Sequence, residues 1–135
     1  MPEPFLTGGC FCGAVRYRGG ALLYPPTLCH CQSCRRAAGA HVVGWLTVRA
    51  DSFTFTAGTP VDYASSPGVV RQFCGRCGTP LTYRNGTRPE EVDIGIATLD
   101  DPSGATPVDH IWMQDALPWD RPGDGRPQHP TADRG

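Results

Sequence analysis

The chain has 135 residues, of which 39% are hydrophobic, 17 are glycine and 14 are proline. Its twelve basic residues are all arginine, thirteen acidic residues nearly balance them, and the net charge is −1. This length predicts one domain, and the near-neutral charge gives no indication of a nucleic-acid partner or an anionic membrane surface. Because lysine is absent, the composition excludes lysine Schiff-base chemistry and P-loop nucleotide binding.

The first ten residues, MPEPFLTGGC, lack the basic start and apolar run of a signal peptide. No later stretch has the roughly eighteen consecutive apolar residues of a membrane span. We therefore expect a cytoplasmic protein with no membrane association. The seven cysteines would stay as thiols in a reducing compartment, so their close spacing favours metal binding or catalysis over disulfides.

Short alternating or β-branched segments predict about eight strands. In chain order they cover residues 14–18, 42–48, 52–57, 61–64, 69–74, 81–84, 91–98 and 110–113. Turn signals separate them, and the Asn85-Gly86 pair predicts a hairpin. A single short helix is predicted from Cys34 to Gly39, with Ser33 as its N-cap. These patterns predict a mainly β fold with antiparallel connections.

The domain is predicted to span residues 1–119, with Trp45, Phe53 and Phe55 in its core. Residues 120–135 are rich in proline, glycine and charge and poor in apolar side chains. We therefore predict that they form a flexible C-terminal tail.

Two cysteine pairs lie far apart in the sequence, Cys10 with Cys12 and Cys74 with Cys77. Side chains two apart in extended backbone point the same way, and a Cys-x-x-Cys-Gly turn also brings two sulfurs together. The pairs together supply the four thiolates of a closed structural zinc site. Ordinary buried cysteine, or a redox pair at Cys74 and Cys77, are the alternative interpretations.

The remaining three cysteines, Cys29, Cys31 and Cys34, form a cluster without an obvious fourth ligand. Three protein ligands and one open position are typical of catalytic zinc. Arg35 and Arg36 follow directly and would either offset thiolate charge and attract an anionic substrate or lie solvated on the helix.

A closed second site is the alternative, with His30 or His41 as the fourth ligand. His30 lies between two cysteines and would point away from the metal in extended backbone. His110 and Trp112 occupy alternate positions of a predicted strand, which favours packing over a proton-shuttle role for the histidine.

The segments GGCFCGAVRY, CHCQSCRRAAGA, SSPGVVRQFCGRCGTPLTY, IGIATLDDP and HIW resemble the glutathione-dependent formaldehyde-activating enzyme family, also called the GFA or CENP-V domain family. The resemblance extends from about Gly8 to Trp119 and includes the order and spacing of all seven cysteines. It implies a Mss4-like fold of antiparallel sheets with zinc-binding loops.

The resemblance also implies two zinc ions, one structural at Cys10, Cys12, Cys74 and Cys77, and one catalytic at Cys29, Cys31 and Cys34. The implied reaction is addition of glutathione to formaldehyde, which is classed with the carbon–sulfur lyases. Two other functions stay open: a zinc-stabilised binding module without turnover and a thiol redox sensor. An exposed strand edge would allow a homodimer.

Overall fold

The computed structural model describes residues 5–133, which form ten strands and one α-helix. The strands are β1 Leu6–Gly9, β2 Arg16–Gly19, β3 Thr27–Cys29, β4 Val43–Arg49, β5 Thr54–Ala57, β6 Val61–Ser66, β7 Val69–Phe73, β8 Pro80–Asn85, β9 Glu91–Gly95 and β10 Asp109–Ile111. The helix α1 covers Gln32–Ala38. Short 3-10 turns cover Ala50–Ser52, Ile96–Thr98, Pro102–Gly104 and Met113–Asp115. No helix in this part of the chain is long and apolar enough to cross a membrane.

The strands form two sheets. A three-stranded sheet has the order β1-β2-β5, and a seven-stranded sheet has the order β10-β3-β4-β9-β8-β7-β6. Every neighbouring pair is antiparallel except β10 with β3, which is parallel. The mainly β, antiparallel fold is therefore confirmed, and the parallel pair is an addition that the sequence did not predict.

All eight predicted strand segments contain a strand, and the hairpin at Asn85 is confirmed as the β8–β9 connection. Two strands were not predicted, β1 and β3. The sequence of β1 ends in two glycines, which are unfavourable in isolated strands. β3 has only three residues and lies inside the cysteine motif. Both form because tertiary neighbours complete their hydrogen bonds.

The predicted N-cap of the helix was wrong by two residues. Cys31 caps α1, because its Sγ accepts a hydrogen bond from the Cys34 backbone N–H at 3.3 Å. Ser33 therefore lies inside the first turn. The predicted stop is confirmed, since Gly39 adopts the left-handed conformation with φ 63° and ends the helix.

The seven-stranded sheet has one apolar and one polar face. On the apolar face, side chains of β4 and β9 pack with the three-stranded sheet around the core residues Tyr17, Leu46, Val48, Phe53, Val92, Ile94, Leu99 and Ala105. On the opposite face, strand register aligns side chains of four strands in one row: Thr47, Asp93, Tyr83 and Arg71. This polar row forms one wall of a cleft.

The described part of the C-terminal segment, residues 120–133, lies along β10. The His110 backbone N–H donates to the Pro127 carbonyl at 2.9 Å, and the His129 N–H donates to the His110 carbonyl at 2.8 Å. The predicted flexibility of the segment and the domain boundary at 119 stay predictions, and these contacts supply the means to test them.

Candidate metal centres

The first candidate centre, the four-cysteine cluster, joins two distant turns. Cys10 and Cys12 lie in the connection from β1 to β2, and Cys74 and Cys77 lie in the turn from β7 to β8. A tight turn in each segment aims the sulfurs inward, with Gly13 and Gly78 in the left-handed region at φ 79° and 82°. The structure therefore brings together the two pairs that the sequence predicted to share a site.

The sulfur spacing in this cluster suits a tetrahedral ion. The Cys10 and Cys12 sulfurs are 3.6 Å apart, and the Cys12 and Cys74 sulfurs are 3.8 Å apart. Four sulfurs at about 2.3 Å from one zinc ion would be separated by about 3.8 Å. All four ligand atoms lie within 4.8 Å of one another, so the cluster could hold a metal ion.

Backbone amides surround these sulfurs. Cys10 Sγ accepts from the Val15 N–H at 3.2 Å, and Cys74 Sγ accepts from the N–H groups of Arg76 and Cys77 at 3.4 Å. Hydrogen bonds from the Thr79 side chain and backbone lower the pKa of Cys77 to about 5. Such donors stabilise thiolates, which are the form that binds metal.

The second candidate centre, the three-cysteine cluster, lies where β3 runs into α1. Cys29 is the last residue of β3, Cys31 caps the helix, and Cys34 is buried in its first turn. Their sulfurs lie within 4.8 Å of one another and could also hold a metal ion. The three predicted residues are thus brought together within six residues, from the end of β3 to the first turn of α1.

The pKa values of the thiols in this cluster are shifted in opposite directions. Hydrogen bonds from Cys29 and Cys31 lower the pKa of Cys34 to about 2, and the positive charge of Arg71 acts in the same direction. The hydrogen bonds to Cys31 and Cys34, together with burial, raise the pKa of Cys29. Three adjacent thiolates repel one another, so a bound cation is needed for all three to ionise.

Within residues 5–133, no histidine, cysteine or carboxylate places a fourth ligand atom close to the three sulfurs. His30 points away from them, because its Nε2 is hydrogen-bonded to His110 Nδ1 at 2.9 Å. His41 is exposed and packs against the Trp119 ring at 6.0 Å between centroids. The alternative of a site closed by either histidine is therefore not supported.

His110 does more than pack. Its Nδ1 faces His30, and its Nε2 is hydrogen-bonded to the Asp124 carboxylate at 2.9 Å. On the far side, His30 Nδ1 lies 3.5 Å from the Asp120 carboxylate, beyond good hydrogen-bond geometry. The two buried histidines, the half-buried Asp120 and the exposed Asp124 connect the three-cysteine loop to the C-terminal segment. Sequence reasoning missed this connection because the partners are so far apart along the chain.

Two clefts meet at the three-cysteine cluster. The larger cleft, about 1160 Å³, runs between α1 and the β6–β8 strands towards Phe11. The polar cleft, about 780 Å³, follows the row of side chains on the polar sheet face and contains all three cysteines. Five residues line both clefts: Ser33, Cys34, Trp45, Ser66 and Arg71.

Trp45 and Arg71 are functional candidates that the sequence did not identify. Trp45 was predicted to lie in the core with Phe53 and Phe55, which do pack there. The register of β4 instead places Trp45 beside Tyr83, at 6.0 Å between ring centroids. Arg71 Nη2 lies 3.9 Å from Cys34 Sγ. The one signal for Arg71 was a lone charge in the otherwise uncharged segment 69–74.

Arg35 and Arg36, which the sequence predicted to lie beside the three-cysteine cluster, form no hydrogen bond with its sulfurs among the described residues. Arg35 Nε donates to the His30 carbonyl at 3.4 Å. Arg36 is exposed on α1 at the larger cleft. The guanidinium beside the cluster is therefore that of Arg71, which arrives from β7.

The fold and the two clusters together define a mainly β protein with two cysteine-rich candidate metal centres, one enclosed by four cysteines and one with three. The family model for the glutathione-dependent formaldehyde-activating enzyme matches residues 5–115. The chain belongs to this family.

The chain is also similar to a curated protein and to a solved structure. A Halomonas elongata protein, named as a candidate glutathione-dependent formaldehyde-activating enzyme, is 31% identical over 124 residues, which cover 84% of this chain and 78% of that protein. A crystal structure of a Rhodobacter sphaeroides protein has a TM-score of 0.59 at 24% identity and covers 92% of this chain and 99% of its own. The second likeness concerns the fold alone.

Proposed function

We propose that the protein is a zinc-dependent enzyme that adds glutathione, or another small thiol, to formaldehyde or a related aldehyde. The product would be an S-hydroxymethyl adduct, and the reaction belongs with the carbon–sulfur lyases. The observation that carries this proposal is the three-cysteine cluster, which offers three sulfurs and no fourth protein ligand within residues 5–133 at the meeting point of two clefts. The family membership supports the same reaction.

The two clusters would have different roles. Cys10, Cys12, Cys74 and Cys77 would hold a structural zinc ion that ties the β1–β2 connection to the β7–β8 turn. Cys29, Cys31 and Cys34 would hold a second zinc ion, which when bound would keep a coordinated thiol deprotonated at neutral pH. The three thiolates leave that ion able to accept one further ligand.

In the proposed reaction, the thiol sulfur forms a bond to the carbonyl carbon, and the π electrons of the carbonyl move to its oxygen. The oxygen then takes up one proton, which balances the proton lost by the thiol. Both substrates are small enough to meet where the clefts join, and holding them there supplies much of the rate gain. Arg71 lies beside Cys34 and offsets negative charge at this point.

Because the chemistry needs seven reduced cysteines, we also propose that the protein acts in a reducing compartment such as the cytoplasm.

The rate of adduct formation from labelled formaldehyde and glutathione, followed by exchange NMR, tests the proposal. We expect the wild-type protein to exceed the uncatalysed rate and Cys31→Ser to lose this gain while keeping one zinc ion. Equal rates for both proteins and for buffer would overturn the enzyme proposal. One zinc ion with three reactive thiols in the wild type would instead support the redox sensor.

A further inference from the structure

The side chain of Arg71 is held in a defined orientation. Its Nε donates to Ser65 Oγ at 3.3 Å, and its guanidinium carbon lies 4.9 Å from the centre of the Tyr83 ring. The register β6–β7–β8 places Tyr63 and Tyr83 on either side of Arg71 in the sheet. An arginine fixed at one end and stacked on a ring loses little further entropy when it binds a ligand.

Part of the guanidinium is left without a protein acceptor. Nη2 approaches Cys34 Sγ at 3.9 Å, a weak contact, and Nη1 has no hydrogen-bond acceptor within the described residues. No carboxylate between residues 5 and 133 forms an ion pair with Arg71. A half-buried guanidinium whose open edge faces a cleft is suited to bidentate binding of a carboxylate.

The two other arginines that line the clefts are either ion-paired or not held in one orientation. Arg88, in the polar cleft, is ion-paired with both Glu91 and Asp93. Arg36, in the larger cleft, is exposed on α1, and no ring or hydroxyl within residues 5–133 holds its guanidinium in place. Arg71 lines both clefts and lies next to the cysteine cluster, so it is the guanidinium best placed to select a substrate.

We propose that Arg71 binds a carboxylate of the thiol substrate, so that the protein selects thiols carrying a carboxylate over neutral thiols of the same size. This inference rests on the proposed function, because it assumes that the thiol binds at the three-cysteine cluster. It adds the chemical class of the thiol and the residue that recognises it. Glutathione belongs to this class, and so do smaller mercapto acids.

The test uses two matched thiols, 3-mercaptopropionate and 3-mercaptopropionamide, which differ in charge and little in size. Isothermal titration of the zinc-loaded protein without aldehyde gives their affinities. We expect the wild type to bind the acid about 10- to 100-fold more tightly than the amide, the range of a charge-assisted bidentate contact. Arg71→Gln should weaken binding of the acid much more than binding of the amide, bring the ratio close to one and leave the zinc content unchanged.

Two further variants serve as controls. Arg36→Gln removes a nearby positive charge of the larger cleft and should leave the ratio as in the wild type, which separates a direct contact from general attraction. Arg71→Met removes the charge but keeps an unbranched side chain of similar length. It should repeat the Arg71→Gln result, and it replaces that variant if the glutamine protein loses zinc or unfolds.

A wild-type ratio near one, or a ratio that Arg71→Gln and Arg71→Met leave unchanged, would overturn the inference. Equal weakening of acid and amide would also overturn it, because Arg71 would then act on the sulfur rather than on a carboxylate. Failure of the proposed function has a different signature: no gain in adduct formation with formaldehyde, while the Arg71-dependent preference for the acid persists.

Discussion

His30 and His110 are hydrogen-bonded to each other in the protein interior, Nε2 to Nδ1 at 2.9 Å, although 80 positions separate them in the chain. They are 1% and 3% exposed, respectively. Because His30 lies between Cys29 and Cys31, this contact connects the three-cysteine loop to β10 and, through Asp124, to the C-terminal segment.

His110→Phe should therefore destabilise the fold and the second centre together. The substitution leaves His30 Nε2 buried without its partner, which costs about 1–3 kcal/mol. Urea unfolding should show this loss, and the zinc content should fall towards one equivalent. His41→Phe is the control, because His41 is exposed, and it should change stability by less than about 0.5 kcal/mol. Equal effects of the two substitutions would contradict the structural role of His110.

Loss of a ligand should have different consequences in the two clusters. Cys74 is 1% exposed and belongs to a small core with Val15 and Leu81, so Cys74→Ser should lower the unfolding midpoint by roughly 10 °C or more. Cys31→Ser should lower it by only a few degrees, because Cys31 is half-buried at a helix cap. Metal analysis and thermal unfolding of both variants test this, and a reversed order would exchange the roles assigned to the clusters.

Gly8→Ala should destabilise the packing of β1 against Tyr17 of β2 and the Ile96–Thr98 turn. A Cβ on Gly8 would lie 2.3 Å from the Tyr17 hydroxyl and 2.4 Å from the Thr98 carbonyl oxygen. Relieving this overlap costs about 1–3 kcal/mol. Gly104→Ala is the matched control, since nothing lies within 4 Å of the added carbon. Equal unfolding free energies for the two variants would show that the close approach at Gly8 is absent.

The Arg16–Asp100 pair should add an acid-sensitive contribution to stability. Hydrogen bonds from Arg16 and Thr7 lower the pKa of Asp100 from 3.8 to about 2. The carboxylate therefore stabilises the fold fully above about pH 4, and this contribution is lost as the pH falls towards 2. The stability difference between the wild type and Asp100→Asn should shrink across this interval, while zinc release affects both proteins alike. A difference that is constant from pH 5 to 2 would contradict the pairing.

Removal of residues 120–135 tests whether the C-terminal segment is a flexible tail. A flexible tail would leave the unfolding midpoint unchanged. The structure instead predicts a fall of roughly 5 °C or more, because the deletion removes the Asp124 contact to His110 and two backbone hydrogen bonds along β10. Asp124→Asn, which keeps the segment, should produce a smaller fall.

Local patterns were sufficient for much of the fold. Alternating or β-branched segments of four to eight residues located eight strands, because alternate side chains of a strand point to opposite faces of the sheet. The end of the helix at Gly39 could also be predicted, because the left-handed conformation at a helix C-terminus favours glycine. The helix start could not, because a cysteine sulfur replaced the usual hydroxyl or carboxylate cap at Cys31.

The cysteine spacing by itself determined the two cysteine pairs and the three-cysteine cluster, because ligands two or three residues apart reach one ion through local geometry. It also predicted that the two pairs share one site, which depends on the contact between two distant turns. Only the tertiary structure decided what surrounds the second cluster. Arg71 reaches Cys34 through the register of β7 in a seven-stranded sheet, and His110 reaches His30 through a parallel strand pair. Such contacts depend on strand order and register across the whole sheet, which no short stretch of sequence encodes.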